Sequence, residues 1–125
     1  MIYLDTHVVV WLYSGDTTLF SPKAKNLIEE NELMISPIVL LELQYLHEIG
    51  RLLVDPGVLY ENLVGTIMLN TCKLPFARII TESMTQTWTR DPFDRIITAH
   101  AIAGDAVLLT KDSTILQNYP KAEWE

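Results

Sequence analysis

Arg90-Asp91-Pro92-Phe93-Asp94-Arg95 decides how the rest of the chain is read. Pro92 fixes its own φ and has no N–H, so it suits the first turn of a helix. Asp91 before it is a good N-cap, because its carboxylate accepts from the free N–H groups of that turn. Asp94 falls within the first turn, where the helix dipole favours an anion. Ile96, Ile97, Ala99, Ala101, Ile102 and Ala103 carry the helix on, and Gly104 stops it. Ala106-Val107-Leu108-Leu109 follows at once, a short apolar run that reads as a buried strand, and Thr110-Lys111-Asp112 ends it. Taken alone, Asp91 and Asp94 need be no more than a cap and a dipole partner. Their company argues for more: Asp112 closes this predicted strand and Asp5 closes the first one.

The same alternation repeats on the N-terminal side. Ile2-Tyr3-Leu4 reads as a strand buried on both faces, typical of a parallel sheet. The run from Val8 to Leu12 is expected to be a helix beginning after Asp5 with Thr6 near its cap, although three consecutive valines favour a strand. Gly15-Asp16 ends it. Ser21-Pro22 starts a second helix that closes at Asn31, and Glu32 to Ser36 reads as the second strand. Ser36-Pro37 opens a third helix through Gly50, with Ile38, Leu41, Tyr45 and Ile49 along one face and Glu42 among leucines. Asp55-Pro56 opens a fourth helix. Thr71 to Leu74 is a weak strand candidate. A helix from Pro75 to about Gln86 should turn Ile79, Ile80 and Met84 inward. After Asp112 come a short helix, Ser113 to Gln117, and an edge strand at Ala122-Glu123-Trp124. Strands alternating with helices predict an α/β fold, a central mostly parallel sheet with helices on both faces.

The length of 125 residues suits one domain, residues 1–125, and 49 % hydrophobic residues are ample for a core. The formal net charge of -7 argues against a broad basic surface for nucleic acid, but not against a site where metal ions supply the positive charge. One cysteine, Cys72, excludes an internal disulfide. With no signal peptide and no apolar run approaching a membrane span, the expected setting is the cytoplasm, without membrane attachment.

Asp5, Glu42, Asp94 and Asp112 interrupt apolar surroundings, with Asp91 as a further candidate. No lysine or arginine is placed to pair with all of them. Carboxylates that converge without such partners repel one another and raise each other's pKa. A divalent cation removes that conflict, and oxygen ligands suit Mg²⁺ or Mn²⁺ rather than zinc. Such ions polarise a phosphodiester, lower the pKa of a bound water and stabilise a leaving oxygen. No serine–histidine or cysteine–histidine arrangement competes, and there is no Gly-rich phosphate loop.

Four stretches together resemble a PIN-domain ribonuclease, specifically the VapC-type toxin of a VapBC toxin–antitoxin pair. They are Tyr3-Leu4-Asp5-Thr6-His7 with Trp11-Leu12, Ser36 to Leu43, Trp88 to Ile97, and Leu108 to Asp112, in the expected order across nearly the whole chain. The resemblance implies a three-layer α/β/α PIN-like fold and an Mg²⁺- or Mn²⁺-dependent endoribonuclease. It implies a catalytic, metal-holding quartet of Asp5, Glu42, Asp94 and Asp112. Asp91 belongs to the same motif as either ligand or cap. It also implies an RNA substrate, often structured, such as tRNA or ribosomal RNA, a VapB-type antitoxin as partner, and a homodimer. Arg90, Arg95 and Lys111 flank the acids and are candidates either to hold RNA phosphates or to pair with those acids. Thr6 and Thr110 are caps or turn residues that are also able to hydrogen-bond a carboxylate. His7 and His100 read as core or surface histidines, and Trp11, Trp88 and Tyr45 as packing residues.

Three other readings compete with this one. A signalling receiver domain also holds Mg²⁺ on acids, but it needs paired acids after the first strand, where this chain has Asp5-Thr6. A haloacid-dehalogenase-like phosphatase needs Asp-x-Asp there, where this chain has Asp5-Thr6-His7. A non-catalytic binding module on the PIN fold would have no need of the intact quartet.

Overall fold

The computed structural model describes Met1 to Glu125. Five short strands, β1 (Ile2–Leu4), β2 (Leu33–Ile35), β3 (Asn70–Thr71), β4 (Val107–Leu109) and β5 (Ala122–Glu123), form one sheet. Its order is β3-β2-β1-β4-β5, and every pairing is parallel. Seven helices connect and cover it: α1 (Thr6–Ser14), α2 (Pro22–Glu30), α3 (Ile38–Glu48), α4 (Pro56–Ile67), α5 (Phe76–Ser83), α6 (Pro92–Ala103) and α7 (Ser113–Asn118). This is the expected α/β/α arrangement. None of the helices is long and apolar enough to cross a membrane.

From β1 the chain first builds outward through β2 and β3, then returns to add β4 and β5 on the other side. The order therefore reverses between β1 and β4, and ligand sites in open parallel sheets lie beyond the strand ends at such a point. The register there is fixed by Tyr3 opposite Leu108 and Leu4 opposite Leu109, and the Asp5 N–H donates to the Leu109 carbonyl at 3.0 Å. Beneath this seam lies the core: Leu4, Val8, Val9, Ile35, Leu43, Leu59, Ile97, Leu108, Leu109 and Ile115 are all fully buried.

The three valines lie in α1 and not in a strand. Burial of Val8 and Val9 outweighs the β-branched preference, which amounts to only a few tenths of a kcal/mol per residue, on the order of 0.5. Asp5 is the cap, with Thr6 beside it as the first helical residue, and Gly15 ends the helix in the left-handed region with φ 74°. Three expectations shift. The β3 strand is Asn70–Thr71, one residue earlier than the expected start and over before Lys73, because its partner β2 is only three residues long. Helix α5 stops at Ser83, and turn bonds at Thr85 and Gln86 lead the chain away, leaving Met84 69 % exposed instead of inward. On α3 the predicted apolar face exists but looks outward: Leu41 is 57 %, Tyr45 50 % and Ile49 47 % exposed. Val39 and Leu43, on the adjacent side, pack into the core. Tyr45 is thus only partly a packing residue, its ring lying 6.0 Å from that of Phe93.

Candidate active site

Four of the acids sit where a strand ends or a helix begins. Asp5 follows β1 and caps α1, with Oδ1 accepting from the Thr6 N–H at 2.8 Å. Asp91 caps α6, accepting from the Phe93 and Asp94 N–H groups at 2.8 and 3.2 Å. Asp94 lies in the first turn of α6. Asp112 caps α7 by accepting from the Ile115 N–H at 3.0 Å. The amino ends of three helices therefore face the carboxylates, and each end favours negative charge. Glu42 comes from the middle of α3. At 100° per residue it falls between the outward face and the buried Val39–Leu43 side, on the rim.

All five carboxylates line one cavity of about 340 Å³. Asp5 forms its floor and is 4 % exposed. Its Oδ2 accepts from the buried Thr110 hydroxyl at 2.7 Å, and Thr110 Oγ1 in turn accepts from the Asp112 N–H at 3.0 Å. The Thr6 hydroxyl donates to Glu42 Oε1. Both threonines, which the sequence offers as caps or turn residues able to bond a carboxylate, donate to one here.

The electrostatics follow from this crowding. Burial, and then the charges of Asp5, Asp91, Asp112 and Glu42, push the Asp94 carboxyl up to about 8. Burial also raises Glu42, against the pull of its Thr6 hydrogen bond, with Asp5 and Asp91 adding to the rise. Burial raises Asp5 too, opposed by His7, Thr110 and the Thr6 N–H.

Sequence reasoning did not place His7, Trp11, Leu46, Arg51 or Leu52 at the site, yet they line the same cavity. The Lys111 N–H donates to His7 Nε2 at 2.9 Å, so the proton of a neutral ring sits on Nδ1, 3.7 Å from Asp5 Oδ2. Burial lowers the His7 pKa. Position beside Asp5 was the available signal for His7; nothing local marks Arg51. Arg90 and Arg95 do not line the cavity. Arg90 donates to the Thr87 carbonyl at 2.9 Å and Arg95 to the Thr89 carbonyl at 2.8 Å, bracing the loop ahead of α6. Lys111 lies 5.9 Å over the Trp11 ring. None of the three pairs with an acid: the ion pairs are His7–Asp5, Lys23–Glu123 and Lys121–Asp105. His100 is buried, as expected of a core histidine.

The donors fit a hard divalent cation in kind: oxygen atoms in excess, with no lysine or arginine paired to them. As the side chains stand, no group of three or more His, Cys, Asp or Glu residues is arranged to hold a metal ion. That does not conflict with Mg²⁺, which keeps several waters and usually takes one or two carboxylates together with substrate phosphate.

Solved structures of similar fold cover nearly the whole chain. VapBC2 from Rickettsia felis, bound to a promoter DNA fragment, matches with TM-score 0.68 at 22 % identity, over 100 % of both chains. VapBC-1 from nontypeable Haemophilus influenzae matches with TM-score 0.66 at 21 % identity, over 100 % of this chain and 97 % of that one. A toxin–antitoxin complex from Klebsiella pneumoniae matches with TM-score 0.65 at 19 % identity, over 97 % and 94 %. No curated protein matches significantly. The PIN domain family matches residues 2–121, the span that carries all five carboxylates of the cavity, and the chain belongs to that family.

Proposed function

We propose that the protein is an Mg²⁺- or Mn²⁺-dependent endoribonuclease, the toxin of a VapBC-type pair. The observation that carries the reading is the gathering of five carboxylates in one cavity, where burial and then their mutual repulsion raise Asp94 to about 8 with no basic partner to relieve it. Membership of the PIN domain family and a fold shared with VapBC complexes support it.

A divalent cation bound there would supply Lewis acidity and a water of lowered pKa. Asp5, Glu42, Asp94 and Asp112 are the groups that would hold it, one or two of them directly and the others through its waters. Thr110 aims the inner oxygen of Asp5 and fixes the Asp112 backbone, so two carboxylates from different strands keep one spacing. Thr6 restrains Glu42. Asp91 is committed through Oδ1 to the α6 cap and contributes charge more than coordination. Lys111 is free of ion pairs and suits a phosphate near the cleft; Arg90 and Arg95 act on the outer path of the RNA with the donors their loop bonds leave over. The proposed protein partner is a VapB-type antitoxin that lays an Arg among Asp5, Glu42 and Asp94, since a planar fork suits paired carboxylate oxygens. The outward Leu41–Tyr45–Ile49 face supports a homodimer.

The test is cleavage of a structured RNA by purified protein in Mg²⁺, in Mn²⁺ and after EDTA, with Asp94→Asn alongside. Cleavage restored by either metal and absent in EDTA is expected. Full cleavage in EDTA would falsify the metal-dependent mechanism, and wild-type cleavage by Asp94→Asn would remove Asp94 from it.

A further inference from the structure

One cation in the acid cavity has no role so far. Arg51 lines it, yet belongs to none of the three ion pairs in the molecule. Its backbone is held firmly. Gly50 takes a left-handed φ of 79°, turning the chain back after α3. The Arg51 and Leu52 N–H groups then both donate to the Leu46 carbonyl, at 2.8 and 3.1 Å. His47 Nδ1 lies 2.8 Å from the carbonyl oxygen of buried Leu52, a donor's distance. The side chain itself is exposed. A fixed backbone therefore carries a guanidinium to the cavity, where it leaves its fork of donors unused by any acid. Val10, Leu46 and Leu52 give the same cavity an apolar wall. A nucleotide matches both features at once: its phosphate suits the fork, and its flat base suits an apolar surface.

We propose that Arg51 holds a phosphate of the RNA chain beside the one that is cut, with the attached base against the Leu46–Leu52 wall. Arg51 is then a substrate-binding residue that sets the register of the strand over the acids. This rests on the ribonuclease reading above.

The experiment uses full-length protein carrying Asp94→Asn to block cutting. A fluorescent single-stranded oligoribonucleotide is titrated in fixed Mg²⁺ across a KCl series, with anisotropy as the readout. Adding Arg51→Ala should weaken binding roughly tenfold near physiological salt, the loss of one charge-assisted contact. It should also make the log–log salt dependence shallower by about 0.7, as expected for one phosphate contact on a single strand. Arg51→Lys should keep the slope while binding less tightly than Arg, because a point charge does not replace the fork. A residue that only shaped the loop would change affinity at constant slope. If the wild-type protein cuts the RNA and Arg51→Ala leaves the slope unchanged, this inference is overturned and the ribonuclease reading stands. If the wild-type protein neither binds nor cuts RNA, both fall.

Discussion

Asp94 and Thr110 differ in what a single change should do. Asp94→Asn removes a charge at nearly constant volume, so on the proposed mechanism cleavage should fall by at least about a hundredfold, in keeping with the loss of a proposed metal-holding group. The same change should stabilise the metal-free protein. The folded Asp94 titrates near 8, against 3.8 when unfolded, so between these values the native state holds a proton that the unfolded state has lost. Stability then falls as pH rises through that window. His7 and His100, whose pKa values burial lowers from 6.5, work in the opposite sense below 6.5. The clean window is therefore 6.5 to about 8. Melting in EDTA should show a falling transition temperature there for the wild type and a flatter profile for Asp94→Asn; a flat wild-type profile would contradict the crowding argument. Thr110→Val keeps the shape but strips a donor from Asp5 and an acceptor from the Asp112 N–H. A loss of about 1–3 kcal/mol by urea unfolding is expected, and metal affinity or activity should drop about 10–100-fold. Asp94 was legible because cap, proline and first-turn acid lie within a few residues. The Thr110–Asp5 bond was not, because it joins residues 105 apart in sequence.

Among the elements, α6 shows how a cap and a site share one residue. Asp91→Asn keeps an acceptor for the Phe93 and Asp94 N–H groups and should leave stability nearly unchanged, with a mild loss of cleavage. Asp91→Ala removes that acceptor and should cost about 1 kcal/mol in urea unfolding; equal stability of the two variants would mean that water replaces the cap. Helix starts were readable throughout, because Ser21-Pro22, Asp55-Pro56 and Asp91-Pro92 are local signals that act through the backbone beside them. The orientation of α3 was not readable. Leu41, Leu43, Tyr45 and Ile49 make it apolar on more than one side, and only the packing of Val39 and Leu43 against the core decides which side is left outside. The placement of Arg51 was equally hidden, since it depends on a turn at Gly50 and a bond back to Leu46.

For the whole molecule, the proposed homodimer has that outward side of α3 as its candidate surface. Light scattering at micromolar concentration should give twice the chain mass of 14.3 kDa, and the double change Leu41→Glu with Tyr45→Glu should return it to one. A wild-type monomer mass would count against the homodimer. The all-parallel sheet brings two strand ends, three helix starts and the rim of α3 to one cleft, so the fold supplies the position and the carboxylates supply the conflict. That conflict has an evolutionary consequence. On the proposed mechanism, exchange of Asp94 for Asn, reachable by one base change in a codon, would disarm the protein while making its metal-free form sturdier. Selection for folding alone would therefore erode this site, and the full set of acids persists in a lineage only while the chemistry itself is being selected. The same logic provides a ready route from an enzyme to a folded partner-binding relative, with no intermediate that fails to fold.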